Sequence, residues 1–363
     1  MKVLTVVGAR PQFIKAGPVS LALRAAGIVE SVVHTGQHYD AAMSQVFFDE
    51  LGLGAPDRNL EAGSGTHAEQ TARMLVGLER TMLEYTMLEH QPDWVLLYGD
   101  TNSTLAGALA ASKLCLPIAH VEAGLRSFDR RMPEEINRVL VDTLSARLFA
   151  PSAAAVRNLA AEGVSGARVE EVGDVMVDAL LFYRERAKAR SRILESLALV
   201  PGSYVLVTLH RAENTDDPER LANLLSGVAR IAENHVVVWP VHPRARKALQ
   251  TWPGAGQPAG LRLMEPVGYL DMTLLTASAA VVLTDSGGLQ KEAFLHRVPC
   301  VTARDSTEWV ETVELGWNRL APPRSAARVV EAVEAAWGST GEIGQPYGDG
   351  AAARRIAESL LRY

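Results

Sequence analysis

Trp94-Val95-Leu96-Leu97-Tyr98 runs directly into Gly99-Asp100-Thr101-Asn102-Ser103-Thr104. An unbroken apolar run with little polar alternation has the look of a parallel strand buried on both faces. The polar group behind it marks the strand's carboxyl end. The same pattern recurs outward from this stretch. Val3–Gly8 and Ser31–Thr35 precede it. Pro117–Glu122, Tyr204–His210, His235–His242, Ala280–Ser286 and Pro299–Arg304 follow it. Helical patterns lie between, at Ser20–Ala26, Thr71–Leu88, Glu135–Ala146 and Pro218–Ala232. Alternating β and α elements predict an α/β chain of doubly wound parallel sheets.

One sheet would need too many strands, so the chain must divide. The highly charged stretch Arg184–Ser196, followed by the turn signal Pro201-Gly202, marks a boundary within Gly173–Pro201. This predicts two Rossmann-like domains, 1–175 and 200–345. Pro253–Gly260 reads as a surface loop, and Gly350–Leu361 as a final helix entered by Pro346-Tyr347-Gly348-Asp349-Gly350.

Composition narrows the class. The chain has 363 residues, 48% hydrophobic and 21% charged, which is globular material long enough for large cores. Its 36 Lys+Arg against 42 Asp+Glu give a net charge of −6. That excludes a broad charge-driven nucleic-acid or membrane surface. Cys115 and Cys300 are too few for a disulfide framework or a four-thiolate metal site, and both read as small buried hydrophobes. The first apolar run breaks at Gly8, too early for a signal peptide, and no apolar stretch approaches a membrane span. The expectation is a soluble, cytoplasmic enzyme.

In open α/β sheets, ligands sit beyond the carboxyl ends of the strands. The residues there are unusually polar. They include Arg10 and Lys15; Gln37 and His38; Asp100 and Thr101; His120, Glu122 and Arg126; His210, Arg211, Glu213 and Asn214; His242; and Asp285, Ser286, Gly287, Gly288, Gln290 and Glu292. Capping alone is the plain alternative for Asp100, as a solvated surface charge is for Arg10 and Lys15. A glycine pair where a strand turns into a helix lets a phosphate approach free N–H groups. Pro133-Glu134-Glu135 suits a helix N-terminus. Asp100, Glu122, Glu134 and Glu135 form an acidic group in the first half, suited to acid and base work on a carbon acid. There is no Walker A lysine motif, no Gly-x-Ser-x-Gly elbow, no His-Glu-x-x-His and no Gly-x-Gly-x-x-Gly after the first strand. No metal and no cofactor is expected.

Taken in series, these motifs resemble the non-hydrolysing UDP-N-acetylglucosamine 2-epimerases. They are Gly8-Ala9-Arg10-Pro11 with Lys15, Thr35-Gly36-Gln37-His38, Gly99-Asp100-Thr101, His120-Val121-Glu122-Ala123-Gly124-Leu125-Arg126 and Pro133-Glu134-Glu135-Ile136-Asn137-Arg138. His210-Arg211-Ala212-Glu213-Asn214, Pro240-Val241-His242, Thr284-Asp285-Ser286-Gly287-Gly288 and Pro346–Gly350 complete the set. The resemblance implies a GT-B architecture with an interdomain cleft, the C-terminal helix 350–363 returning to the first domain. It implies a homodimer, and domain closure on UDP. It implies interconversion of UDP-GlcNAc and UDP-ManNAc, by elimination of UDP to 2-acetamidoglucal and re-addition, for cell-surface polysaccharide precursors. Carried over position by position, Asp100, Glu122, Glu134 and His210 become the catalytic candidates. Arg10, Lys15, Arg138, His242, Ser286, Gly287, Gly288 and Glu292 become contacts to the UDP-sugar.

The chain departs from the family pattern at three places. Thr307-Glu308-Trp309-Val310-Glu311 lacks an arginine expected near the nucleotide. Gly36-Gln37-His38-Tyr39 lacks the arginine usual after that histidine, which questions allosteric activation by UDP-GlcNAc. Ser127-Phe128-Asp129-Arg130-Arg131-Met132 is more basic than usual, and with Trp309 and Gly316-Trp317-Asn318 it resembles the branch acting on UDP-2,3-diacetamido-2,3-dideoxyglucuronate. There Arg130 or Arg131 would meet the sugar carboxylate. A GT-B glycosyltransferase, a hydrolysing epimerase and a non-catalytic nucleotide-sugar sensor are the competing readings.

Overall fold

The computed structural model describes residues 1–37, 54–87, 91–242, 245, 246, 249 and 258–362, with the side chain of Arg10 outside that description. His38, Tyr39 and most of the loop expected at Pro253–Gly260 therefore lie outside the described residues.

The chain forms two compact units, Met1–Phe182 with Gln345–Tyr363, and Tyr183–Gly344. In the first, β1 (Lys2–Val7), β2 (Val29–His34), β3 (Arg58–Asn59), β4 (Trp94–Tyr98), β5 (Ile118–Val121), β6 (Arg147–Ala150) and β7 (Val169–Glu171) make one sheet. Its order is β3-β2-β1-β4-β5-β6-β7. In the second, β8 (Tyr204–Thr208), β9 (Val236–Pro240), β10 (Leu261–Met264), β11 (Val281–Thr284), β12 (Cys300–Thr302) and β13 (Asn318–Leu320) run in the order β10-β9-β8-β11-β12-β13. All pairings are parallel, in register Val3 on Trp94 and Val281 on Val205. Each apolar run read as a strand forms one. The edge strands β3, β7, β10 and β13, and β6 with its leading arginine, were not among those runs. They are too short or too polar to show a period.

Helices of the first unit are α1 (Arg10–Ala25), α2 (His67–Met87), α3 (Asn102–Lys113), α4 (Pro133–Leu144) and α5 (Ala153–Ala161). The unit boundary falls inside α6 (Val175–Arg190). The charged boundary stretch is thus partly helix, with Arg184 and Lys188 both on Glu185. The second unit adds α7 (Ile193–Ser196), α8 (Ala212–Thr215), α9 (Pro218–Asn234), α10 (Tyr269–Ser278), α11 (Gly287–Leu295), α12 (Val310–Glu314) and α13 (Ala326–Ala336). The last helix, α14 (Ala352–Leu361), packs on α1 in the first unit. Asp178 accepts from Ala352 N and Ala353 N at 3.2 and 3.0 Å, and Arg147 donates to Ser359 Oγ at 2.6 Å.

Apolar burial holds each sheet. Val6, Val95 and Leu97 meet Ala106 and Ala110 of α3 and Met74 and Leu78 of α2. In the second unit Val207, Val237, Trp239 and Leu283 meet Leu224 and Val228 of α9 and Val333 of α13. Among these, the small alanines of α3 let that helix lie close to its strands. Cys300 is buried as expected and its thiol is pushed up to about 12 by burial. Cys115 is not a core residue: it is exposed in the turn after α3, at φ +54°. No helix among the described residues is long and apolar enough to cross a membrane.

Each sheet reverses direction once, between β1 and β4 and between β8 and β11. Helices leave the carboxyl ends of these neighbours on opposite faces, opening a crevice. Most candidate residues fall at these two points.

Candidate functional site

At the first switch point, Gly99 and Asp100 follow β4 and Glu122 follows β5. Glu122 is a buried glutamate at φ +74°, a left-handed conformation that costs energy in any residue but glycine. Its main-chain N–H donates to Phe149 O at 3.1 Å. Its carboxylate pairs with Lys15 Nζ from α1. Gly99 lies against that pair: a Cβ there would sit 3.2 Å from Glu122 Oε2 and 3.4 Å from Lys15 Nζ. Glycine at φ +63° therefore suits a backbone that passes close to this pair just before Asp100.

Asp100 does not cap α3, since Thr101 accepts from Thr104 N there. Its carboxylate pairs with Arg138 of α4. Arg138 also reaches Glu135 Oε2 at 3.0 Å, and Asn137 donates to Asp100 O at 2.8 Å. Glu135 accepts from Ser127 N and Phe128 N at 2.8 and 3.0 Å. Burial alone would raise its pKa, but these N–H groups and Arg138 hold it below the usual carboxylate value. Glu134, half-buried in the first turn of α4, has no side-chain partner among the described residues.

Behind these groups, His120 Nε2 donates to Gly99 O at 2.8 Å and its Nδ1 meets Asp142 Oδ1 at 2.7 Å. Arg126 reaches Asp142 Oδ2 at 2.8 Å and forks onto Glu162. Burial would raise the Asp142 carboxyl, but His120 and Arg126 outweigh it and hold it low. Asp142 and Glu162 were not among the sequence candidates. Asp142 stands four residues after Arg138 on the buried side of α4, so a polar stripe at helical spacing was the available signal.

α4 is inside out. Glu135, Asn137, Arg138 and Asp142 are buried, while Ile136, Leu140 and Leu144 are exposed. An amphipathic helix normally buries its apolar stripe. Here the charged stripe is buried because its partners stand on the loops after β4 and β5.

At the second switch point, the fully buried Asp285 accepts from His210 N, Arg211 N and Asn214 Nδ2, at 3.0, 3.0 and 3.1 Å. Asn214 lies within α8 and neither it nor Thr215 caps that helix. His210 Nδ1 stands 3.5 Å from Asp285 Oδ1, and its ring lies 5.3 Å from that of the exposed His242. The imidazole is thus positioned through its own main chain. Ser286 precedes α11 and makes no side-chain cap bond. A Cβ on Gly287 would sit 2.3 Å from Glu308 Oε1, whereas the space at Gly288 is open. The first N–H groups of a helix have no intrahelical acceptor, so this uncapped turn is ready for an anion. Glu292 lies buried one turn beyond Gly288.

The turns after β1 and β4 differ. Gly8 N and Ala9 N, before α1, both donate to Gln12 Oε1, at 2.8 and 3.0 Å. The turn before α3 has its Thr101 cap. Trp309 stands where an arginine was expected, and Lys291 Nζ lies 3.9 Å from the centre of its ring. A cation is therefore present at that place from α11 itself. Arg304, buried, pairs with Glu308 at 3.0 Å and Glu213 at 3.4 Å. Lys15, expected at the diphosphate, has its ammonium on Glu122. Arg10 opens α1, and its side chain is not described. Among the described residues no group of three His, Cys, Asp or Glu side chains gathers to hold a metal ion.

Comparison with known proteins gives three kinds of likeness. The family model described as UDP-N-acetylglucosamine 2-epimerase matches residues 22–361. A UDP-2,3-diacetamido-2,3-dideoxy-D-glucuronate 2-epimerase from Pseudomonas aeruginosa is 50% identical, over 100% of each chain. A UDP-N-acetylglucosamine 2-epimerase from Methanocaldococcus jannaschii is 42% identical over 99% of each chain. The crystal structure of a Methanocaldococcus jannaschii UDP-GlcNAc 2-epimerase in complex with UDP-GlcNAc and UDP matches with a TM-score of 0.93, at 42% identity and over 100% of each chain.

Proposed function

The chain belongs to the UDP-N-acetylglucosamine 2-epimerase family, and on that premise we propose that it inverts C2 of UDP-GlcNAc without hydrolysis. A base removes the C2 proton. Its electron pair forms the C1=C2 bond as the C1–O bond breaks and UDP leaves. The 2-acetamidoglucal then takes a proton on the opposite face of C2 while UDP re-forms the C1–O bond. This needs two proton-transfer groups and a held diphosphate. We assign the proton transfers to Asp100, Glu122 and Glu134, with His210 as the fourth catalytic group. The UDP falls to Ser286, Gly287, Gly288, Glu292 and His242, with Arg10 and Lys15 as cationic contacts. Arg138 holds Asp100 in place.

The observation that carries this reading is the N-terminus of α11 beside His210, where Ser286 makes no side-chain cap bond and the space at Gly288 is open, whereas the turns before α1 and α3 carry their own side-chain acceptors. Proton NMR in deuterated water tests it. UDP-GlcNAc should give UDP-ManNAc carrying deuterium at C2. Accumulation of free UDP would mean hydrolysis or transfer instead.

A second reading keeps the chemistry and changes the sugar to the diacetamido uronate. The 50% identical relative that bears this name favours it.

We also assign the chain to a homodimer, because α4 leaves Ile136, Leu140 and Leu144 exposed at four-residue spacing. Light scattering giving the mass of a single chain would refute this. The cytoplasm and the supply of cell-surface polysaccharide precursors complete the assignment. A deletion strain with unchanged surface polysaccharide would contradict it.

A further inference from the structure

We propose that Arg130 is the specificity-determining residue that pairs with a carboxylate on the sugar of the substrate; this rests on the second reading above, and it selects the uronate. A uronate differs from GlcNAc by carrying an anion on the sugar ring itself. Binding such a group out of water calls for a cation with its donors uncommitted.

Among the described side chains, the other cations around the first switch point are committed. Lys15 is on Glu122, and Arg138 is on Asp100 and Glu135. Arg126 is on Asp142 and Glu162. Arg131, next to Arg130, forks onto its own loop, with Nε 2.8 Å from Asp129 Oδ1 and Nη2 2.7 Å from Asp129 Oδ2. That fork and the Arg131 N–H hold the Asp129 carboxyl down at about 2. The guanidinium of Arg130 is exposed and makes no hydrogen bond or ion pair with any described residue.

The turn that carries Arg130 is built, not loose. Glu135 anchors its start through Ser127 N, Ser127 Oγ and Phe128 N. Asp129 O accepts from Met132 N at 3.0 Å to close it. Its anchor, Glu135, also holds Arg138, which holds Asp100. The turn is therefore fixed to the same arginine as the candidate acid/base group, and Glu134 follows it by two residues. Phe128 sits at φ +58° with its side chain exposed, a strained conformation for an aromatic residue and one that recurs at ligand-binding turns. Between two anchoring carboxylates, Arg131 serves the turn and Arg130 is presented outward from it.

The test compares wild type with Arg130→Gln, Arg130→Lys and Arg131→Gln on UDP-GlcNAc and on UDP-2,3-diacetamido-2,3-dideoxyglucuronate, each followed by NMR. Wild type should epimerise the uronate. Arg130→Gln should lose on the order of 30- to 100-fold in kcat/KM on the uronate, mostly in KM, and stay within about twofold on UDP-GlcNAc, as expected for one lost charge-assisted pair. Arg130→Lys should recover part of the loss, and Arg131→Gln should change the two substrates alike. Equal losses on both substrates for Arg130→Gln, or none on the uronate, would overturn the proposal. Wild type that turns over UDP-GlcNAc but never the uronate removes the second reading, and the proposal with it, before any variant is made.

Discussion

The two switch points share a topology and differ in chemistry. In the first unit the turn before α1 satisfies its own N–H groups through Gln12, and the crevice is filled with ion pairs: Lys15 with Glu122, Arg138 with Asp100 and Glu135. In the second unit a single buried aspartate gathers the N–H groups after β8, and the turn into α11 is left open. The lesson is that a doubly wound sheet supplies a crevice and nothing more. What fills the vacant N–H groups decides whether the crevice holds charged side chains or an anionic ligand.

The largest effects should come from the first unit. Asp100→Asn or Glu122→Gln should lower kcat by about 10³-fold or more, with UDP affinity near wild type by calorimetry. Lost UDP binding with turnover intact at saturation would reverse the roles of the two crevices. Next comes Gly287→Ala, whose Cβ would meet Glu308 Oε1 at 2.3 Å. It should weaken UDP by about 10- to 100-fold and leave the proton-transfer groups alone. Unchanged UDP affinity would break the contrast. A smaller change is expected for Gln12→Ala, which uncaps Gly8 N and Ala9 N. A loss of about 1–2 kcal/mol in denaturant unfolding would mark that turn as structural, and an equal effect on UDP binding would blur the distinction.

The smallest effect concerns pH. Glu30 of β2 accepts from Thr5 Oγ1 at 2.5 Å, and its pKa is raised, first by burial, with that hydrogen bond opposing. A carboxyl raised in the folded state supports folding fully below its unfolded pKa and loses that support as pH rises through the folded value. Glu30→Gln should therefore raise Tm slightly at pH 8 and not at pH 4. Asp142 and Glu135 have lowered pKa values, so their support is present above the unfolded value and fades as acid protonates them. A Tm that falls on acidification in wild type, and falls from a higher start in Glu30→Gln, would show both signs in one unit.

Much of this was legible along the chain. The central strands announce themselves because burial on both faces demands unbroken apolar runs, as in Trp94–Tyr98 and Val281–Thr284. The strand-end positions follow from that, and with them Asp100, Glu122, His210 and Ser286. The edge strands and β6 stayed hidden because each carries an arginine or glutamate that breaks an already short apolar run. Cys115 misled because an apolar neighbourhood in sequence does not make a residue buried.

The sequence by itself determined the α/β class, the division into two sheets and the polar ends of their strands, because these depend on local hydrophobic pattern. Only the tertiary structure decided which partner each polar group takes. Periodicity shows that α4 has an apolar face and a charged one, and it cannot say which faces inward. That depends on where Asp100, His120, Arg126 and Ser127 stand once β4 and β5 are side by side. Pairing Glu135, Arg138 and Asp142 with those groups outweighs burying Ile136, Leu140 and Leu144, because a buried charge without a partner costs more than an exposed leucine.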